Sequence, residues 1–126
     1  MTQFLLDTNV VIWLAQNNPR TDKIKSLLLS AGSKVFVSAV SWWEIAIKVR
    51  TGKLTVDLEQ LRYYAEIHAF DELPVTGIYT KAYLELPALH KDPFDHMLLA
   101  QAITSPMRLI TSDSFLAEYS SLVMVI

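Results

Sequence analysis

Apolar positions along the chain alternate between two kinds of pattern. Short unbroken runs stand at "FLL" (4–6), "KVFVSA" (34–39), "RLIT" (108–111) and "LVMVI" (122–126). Runs this short and rich in branched residues predict strands buried on both faces. Between them, apolar residues recur every three or four positions, which predicts helices. The first helical stretch follows "DTN" and carries Val10, Val11, Trp13 and Leu14. The others are "RTDKIKSLLLSAG" (20–32), "WWEIAIKVRTG" (42–52), "DLEQLRYYAEIHAF" (57–70), "TGIYTKAYLEL" (76–86) and "PFDHMLLAQAI" (93–103). "ELPVT" (72–76) predicts a further short strand and "SFLAEY" (114–119) a short helix.

Local punctuation agrees with these segments. Asn17-Asn18-Pro19, Gly32, Gly52 and Pro87 stop helices, while Ser38, Ser41, Thr76 and Asp92 offer caps. Asp92 is followed by Pro93, whose missing N–H suits the first helical position. Strands alternating with helices predict an α/β fold, a three-layer α/β/α sandwich around a central parallel sheet of four to five strands. Ligand sites in such sheets lie beyond the carboxyl ends of the strands.

Composition narrows the function classes. A chain of 126 residues, 52% hydrophobic and 19% charged, predicts a single folded domain over residues 1–126. Its net charge of −2 supplies no bulk positive field for a polyanion, so a nucleic acid would need a local basic rim or a bridging metal. Cysteine is absent, which removes disulfides, thiolate metal sites and thiol nucleophiles. The start of the chain lacks a signal-peptide pattern and no stretch is apolar enough to span a membrane, so a cytoplasmic protein is expected.

The carboxylates carry the candidate chemistry. Asp7 ends the first strand and Asp113 follows "RLIT", so both should project from one sheet edge. Glu44 lies early in the helix after the second strand, and Asp95 in the first turn of the helix after Asp92. Each has a simpler reading: Asp7 and Asp113 as helix caps, Ser41 and Glu44 as an S-x-x-E capping box, Asp92 as a cap. Asp95 resists it, because Leu98, Leu99 and Ala102 share its helical stripe and a carboxylate heading a core-facing stripe needs a partner. Converging acids repel, and a divalent cation removes that conflict. An oxygen-only donor set points to Mg²⁺ or Mn²⁺ rather than Zn²⁺, ions that activate water and stabilise charge in phosphodiester attack.

"FLLDTNVVIWL", "VSAVSWWEIAIKVRTGKL", "HKDPFDHMLLAQA" and "LITSD" resemble the successive motifs of the PIN domain, particularly its VapC-like toxin branch, across nearly the whole chain. The resemblance implies a metal-dependent endoribonuclease preferring single-stranded RNA, dimeric and neutralised by a small antitoxin. By position it assigns the acidic quartet to Asp7, Glu44, Asp95 and Asp113. Asp7 and Asp95 would be the main metal ligands, with Asp113 as a further ligand and Glu44 completing the pocket, directly or through water. Thr8, Asn9, Thr111 and Ser112 would be donors behind these ligands. Members of this branch often carry Arg where this chain has His96, which lacks the guanidinium's fixed charge.

Lys48, Arg50, Lys91 and His96, with Lys53 and His90 nearby, are candidates for substrate contact. Trp42 and Trp43 point about 100° apart on a helix, so one of them should remain free for a partner. His68 reads as a helix-face residue. Two alternatives accompany the toxin reading: a PIN nuclease in RNA processing without toxicity, and a non-catalytic α/β phosphoacceptor or binding module. The phosphoacceptor reading wants a Lys at a later strand end, which "RLITSD" does not offer.

Overall fold

The structure, a computed structural model, describes residues 2–87 and 92–126. Strands β1 (Gln3–Leu6), β2 (Lys34–Ser38), β3 (Asp71–Leu73), β4 (Arg108–Thr111) and β5 (Val123–Val125) pair in parallel in the order β3-β2-β1-β4-β5. The helices are α1 (Thr8–Ala15), α2 (Asp22–Leu28), α3 (Ala39–Arg50), α4 (Leu58–Ile67), α5 (Tyr79–Glu85) and α6 (Pro93–Thr104), with 3-10 turns at Pro19–Thr21 and Ser114–Glu118.

Side chains of β1 alternate between two cores. Phe4 and Leu6 pack with Val10, Val11 and Leu14 of α1 and with Ile24 and Leu28 of α2. Leu5 faces the opposite way, onto Leu98, Leu99 and Ala102 of α6. A smaller cluster of Ile12, Ile45 and Leu61 ties α1, α3 and α4 together. This is the expected α/β/α sandwich, with five parallel strands.

Strand order locates the crevice. The chain builds outward from β1 through β2 to β3, then returns to pair β4 on the other side of β1. At that reversal the segments leaving β1 and β4 diverge, opening a space at their carboxyl ends. Among the described residues, no helix is long and apolar enough to cross a membrane.

Several local expectations are corrected. Ser38 caps α3, its hydroxyl accepting from the Val40 N–H at 3.1 Å, while Ser41 lies inside the first turn and is buried, so the Ser41–Glu44 capping box does not form. Thr76 does not cap α5: the helix starts at Tyr79 with no side-chain cap, and Thr76 lends only its carbonyl to the Tyr79 N–H. α2 stops at Leu28, short of Gly32, where Ser30 and Ser33 hydroxyls donate back to the Ser26 and Leu27 carbonyls and compete with helical bonding. β3 takes Asp71–Leu73 rather than "ELPVT", since Pro74 has no N–H to continue a ladder. The segment at 114–118 is 3-10 in form.

Candidate functional site

Asp7 follows directly on β1 and caps α1, its Oδ1 accepting from the Thr8 N–H at 2.6 Å. The register that sets Leu6 beside Ile110 also brings the Asp7 N–H to the Ile110 carbonyl at 2.9 Å. The next residue of β4, Thr111, then donates its hydroxyl to Asp7 Oδ2 at 2.6 Å. Asp7 is thus both a cap and a fixed, buried carboxylate, and the two readings are compatible. Burial raises its pKa above the usual carboxylate value; the Thr111 and Thr8 bonds pull it down, and the charges of Glu44 and Asp92 push it up.

Glu44 projects from the second turn of α3 into the same crevice and is buried. The Thr8 hydroxyl lies 2.6 Å from Glu44 Oε1 and 3.0 Å from Ser41 Oγ. A hydroxyl carries one proton, so with Thr8 donating to the carboxylate, Ser41 is left to donate to Thr8. Lys48, one turn further along α3, places its ammonium 2.9 Å from Glu44 Oε2. That bond raises the Lys48 pKa against the effect of burial. Thr8→Val is expected to lower stability by about 1–3 kcal/mol, because it strips one oxygen of a buried carboxylate of its donor while Lys48 still serves the other. Thr8→Ser should recover most of the loss in the same urea titration.

Asp95 sits in the first turn of α6, half-buried. Its carboxyl is pushed up to about 8, first by burial and then by the charges of Asp7, Asp92 and Glu44. Asp7, Glu44 and Asp95 are therefore brought into one electrostatic neighbourhood from β1, α3 and α6. Asp113 is tied to it through Thr111, whose hydroxyl oxygen accepts from the Asp113 N–H at 3.0 Å. The Asp113 carboxylate caps the following 3-10 turn, accepting from the Phe115 N–H at 2.9 Å.

The remaining sequence candidates are spread more widely. Asn9 is exposed on α1 and Ser112 is half-exposed. Arg50 and Lys53 are exposed at the end of α3. His96 lies against aromatic rings, its Nε2 3.3 Å from the Tyr119 hydroxyl. Lys91 and His90 fall outside the described residues. His68 is exposed and stacked on Tyr64, as a helix-face residue should be. Trp42 packs between two cores while Trp43 is 62% exposed, so the adjacent tryptophans do part company.

Sequence reasoning underrated Asp92. It does cap α6, accepting from the Phe94 and Asp95 N–H groups at 2.9 and 3.3 Å. It also adds its charge to those acting on Asp7 and Asp95. The D-x-x-D spacing was the available signal, because an N-cap and a residue of the same first turn are necessarily neighbours.

The donor set suits a hard divalent cation. It is all oxygen, and a positive ion would relieve both the burial and the like-charge crowding that raise the pKa values of Asp7 and Asp95. Among the described residues no three acidic, His or Cys side chains already stand at metal-holding geometry; hydrogen bonds engage both Asp7 oxygens, and Lys48 engages Glu44.

The PIN domain family model matches residues 4–122. Ribonuclease VapC22 of Mycobacterium tuberculosis is 25% identical over 121 residues, covering 94% of this chain and 93% of that protein. Among solved structures, VapBC2 of Rickettsia felis, bound to a DNA fragment from its promoter, is similar with a TM-score of 0.74 at 16% identity, covering 99% of this chain and 98% of that one. A toxin-antitoxin complex from Klebsiella pneumoniae gives 0.66 at 19% identity, covering 96% and 95%.

Proposed function

Because this chain belongs to the PIN domain family, we propose that it is a Mg²⁺- or Mn²⁺-dependent endoribonuclease, the toxin of a toxin-antitoxin pair acting in the cytoplasm. The observation that carries the reading is the convergence of Asp7, Glu44 and Asp95 on the crevice between β1 and β4, in a fold shared with a named ribonuclease and a toxin-antitoxin complex. A phosphoacceptor module belongs to another family.

Asp7 and Asp95 would hold the ion, with Asp113 as a further ligand and Glu44 nearby. Such a cation, when bound, supplies the positive charge that activates water and offsets charge on the phosphodiester in the transition state. The protein's own part is positioning. Thr111 and the Thr8 N–H hold the Asp7 carboxylate in one orientation. Thr8 and Ser41 hold Glu44, and Lys48 balances its charge. Lys48 is consequently committed within the site, leaving Arg50 as an exposed cation for RNA phosphates.

Exposed Leu29, Tyr63 and Ile67 on the α2 and α4 side, and Ile78 and Leu84 around α5, are apolar surface suited to protein partners. They support an antitoxin and a second copy of the chain as occupants. Purified protein should cut single-stranded RNA with Mg²⁺ or Mn²⁺ and stop when EDTA is added. Cleavage that persists at full rate in EDTA refutes the metal role, and intact RNA under all metal conditions refutes the nuclease reading.

A further inference from the structure

Asp95 is crowded by the charges of Asp7, Asp92 and Glu44 and sits in the first turn of α6. The residues on either side of it each contact an element bearing another acid of the site. Phe94 meets Trp43 edge to face, with ring centroids 5.4 Å apart and planes at 70°. Trp43 precedes Glu44 on α3. On the other side, His96 meets Tyr119, with centroids 5.8 Å apart, planes at 63°, and Nε2 3.3 Å from the hydroxyl. Tyr119 is the C-cap of the 3-10 turn that Asp113 caps at its other end. Tyr83 of α5 backs the His96 ring at 5.9 Å.

We propose that these two contacts form a clasp, with Trp43 and Tyr119 as positioning residues that set the spacing of Asp95 from Glu44 and Asp113 and so tune cation affinity at the site. The clasp rests on the cation site of the proposed function. Its logic is mechanical. Acids that repel one another drift apart unless the elements carrying them are joined, and here the joints are packed side-chain rings. The 62% exposure of Trp43 follows, since its indole lies against Phe94 at the surface instead of filling the core. His96 fits the same account: its ring faces two tyrosines, which places it as a strut between α6 and the Asp113 turn.

The test is Mn²⁺ affinity, read from the electron paramagnetic resonance of free Mn²⁺, in wild type, Tyr119→Phe, Trp43→Ala and Trp43→Phe. Tyr119→Phe removes one hydroxyl and keeps the ring, and Trp43 is exposed, so these variants should fold; circular dichroism and the melting temperature in EDTA check this. Tyr119→Phe and Trp43→Ala are expected to weaken Mn²⁺ binding roughly ten-fold, at the low end for groups that orient metal ligands, with Trp43→Phe recovering much of the loss. The Mg²⁺ concentration needed for half-maximal cleavage should rise in step, with the rate at saturating Mg²⁺ little changed. Affinity within two-fold of wild type in both Tyr119→Phe and Trp43→Ala overturns the clasp, as does a wild-type protein that binds no Mn²⁺. A wild type that binds Mn²⁺, responds to these substitutions and leaves RNA intact refutes the ribonuclease reading while the clasp stands.

Discussion

Asp95→Asn should abolish RNA cleavage, by about a thousand-fold or more, and at the same time raise the melting temperature of the metal-free protein. The activity loss follows from removing a negative ligand where cation charge is needed; ~4 kcal/mol of lost transition-state stabilisation corresponds to that factor. The gain in stability follows because folding buries this carboxylate and sets it next to Asp7, Asp92 and Glu44, and asparagine is neutral. Asp95 is half-buried, so solvent screening reduces the relief, to an order of 1–2 kcal/mol. A gel assay of RNA cleavage and thermal unfolding in EDTA measure the two arms on one preparation. Unimpaired cleavage removes Asp95 from the chemistry, and an inactive but less stable variant contradicts the charge-crowding account.

Raising the pH should destabilise the metal-free protein between about pH 4 and pH 8, and added Mg²⁺ should flatten that slope. The Asp95 carboxyl is pushed from an ordinary value of 3.8 to about 8 in the folded chain. Between those values the folded state keeps a proton that the unfolded state has released, so stability falls as pH rises through the window. Asp7 is shifted in the same direction, chiefly by burial, and adds to the slope. Urea titrations at pH 5, 6.5 and 8, with EDTA or with Mg²⁺, give the comparison, and the metal-free slope should shrink in Asp95→Asn. A metal-free protein more stable at pH 8 than at pH 5 contradicts the crowding of these acids.

Much of the architecture was legible because two-sided burial leaves a strong mark. "FLL" reads as a parallel strand because Phe4 and Leu6 enter one core and Leu5 the other. Asp95 was legible for a related reason, since a carboxylate at the head of an apolar stripe conflicts with its surroundings, whereas Asp7 by itself read equally well as a helix cap. Asp92 hid its second role because capping α6 accounts for it completely at the local level. Lys48 looked like part of a substrate rim, because sequence shows that it lies four residues from Glu44 but not that Glu44 is buried in need of a counter-charge. Thr111 meets Asp7 across 104 positions of chain, a pairing set by strand register and invisible to local pattern. The errors at Ser41 and Thr76 are of a smaller kind, in which several hydroxyls stand near a helix start and backbone geometry selects among them.

The bond from Thr111 to Asp7 has a consequence for the order in which the chain folds. Asp7 directly follows β1, whereas Thr111 closes β4, so the bond forms only once a strand 104 positions further along has inserted beside β1. The Asp7 carboxylate therefore gains its fixed orientation only after β4 has paired with β1, which makes ordering of the site a late, long-range step of folding.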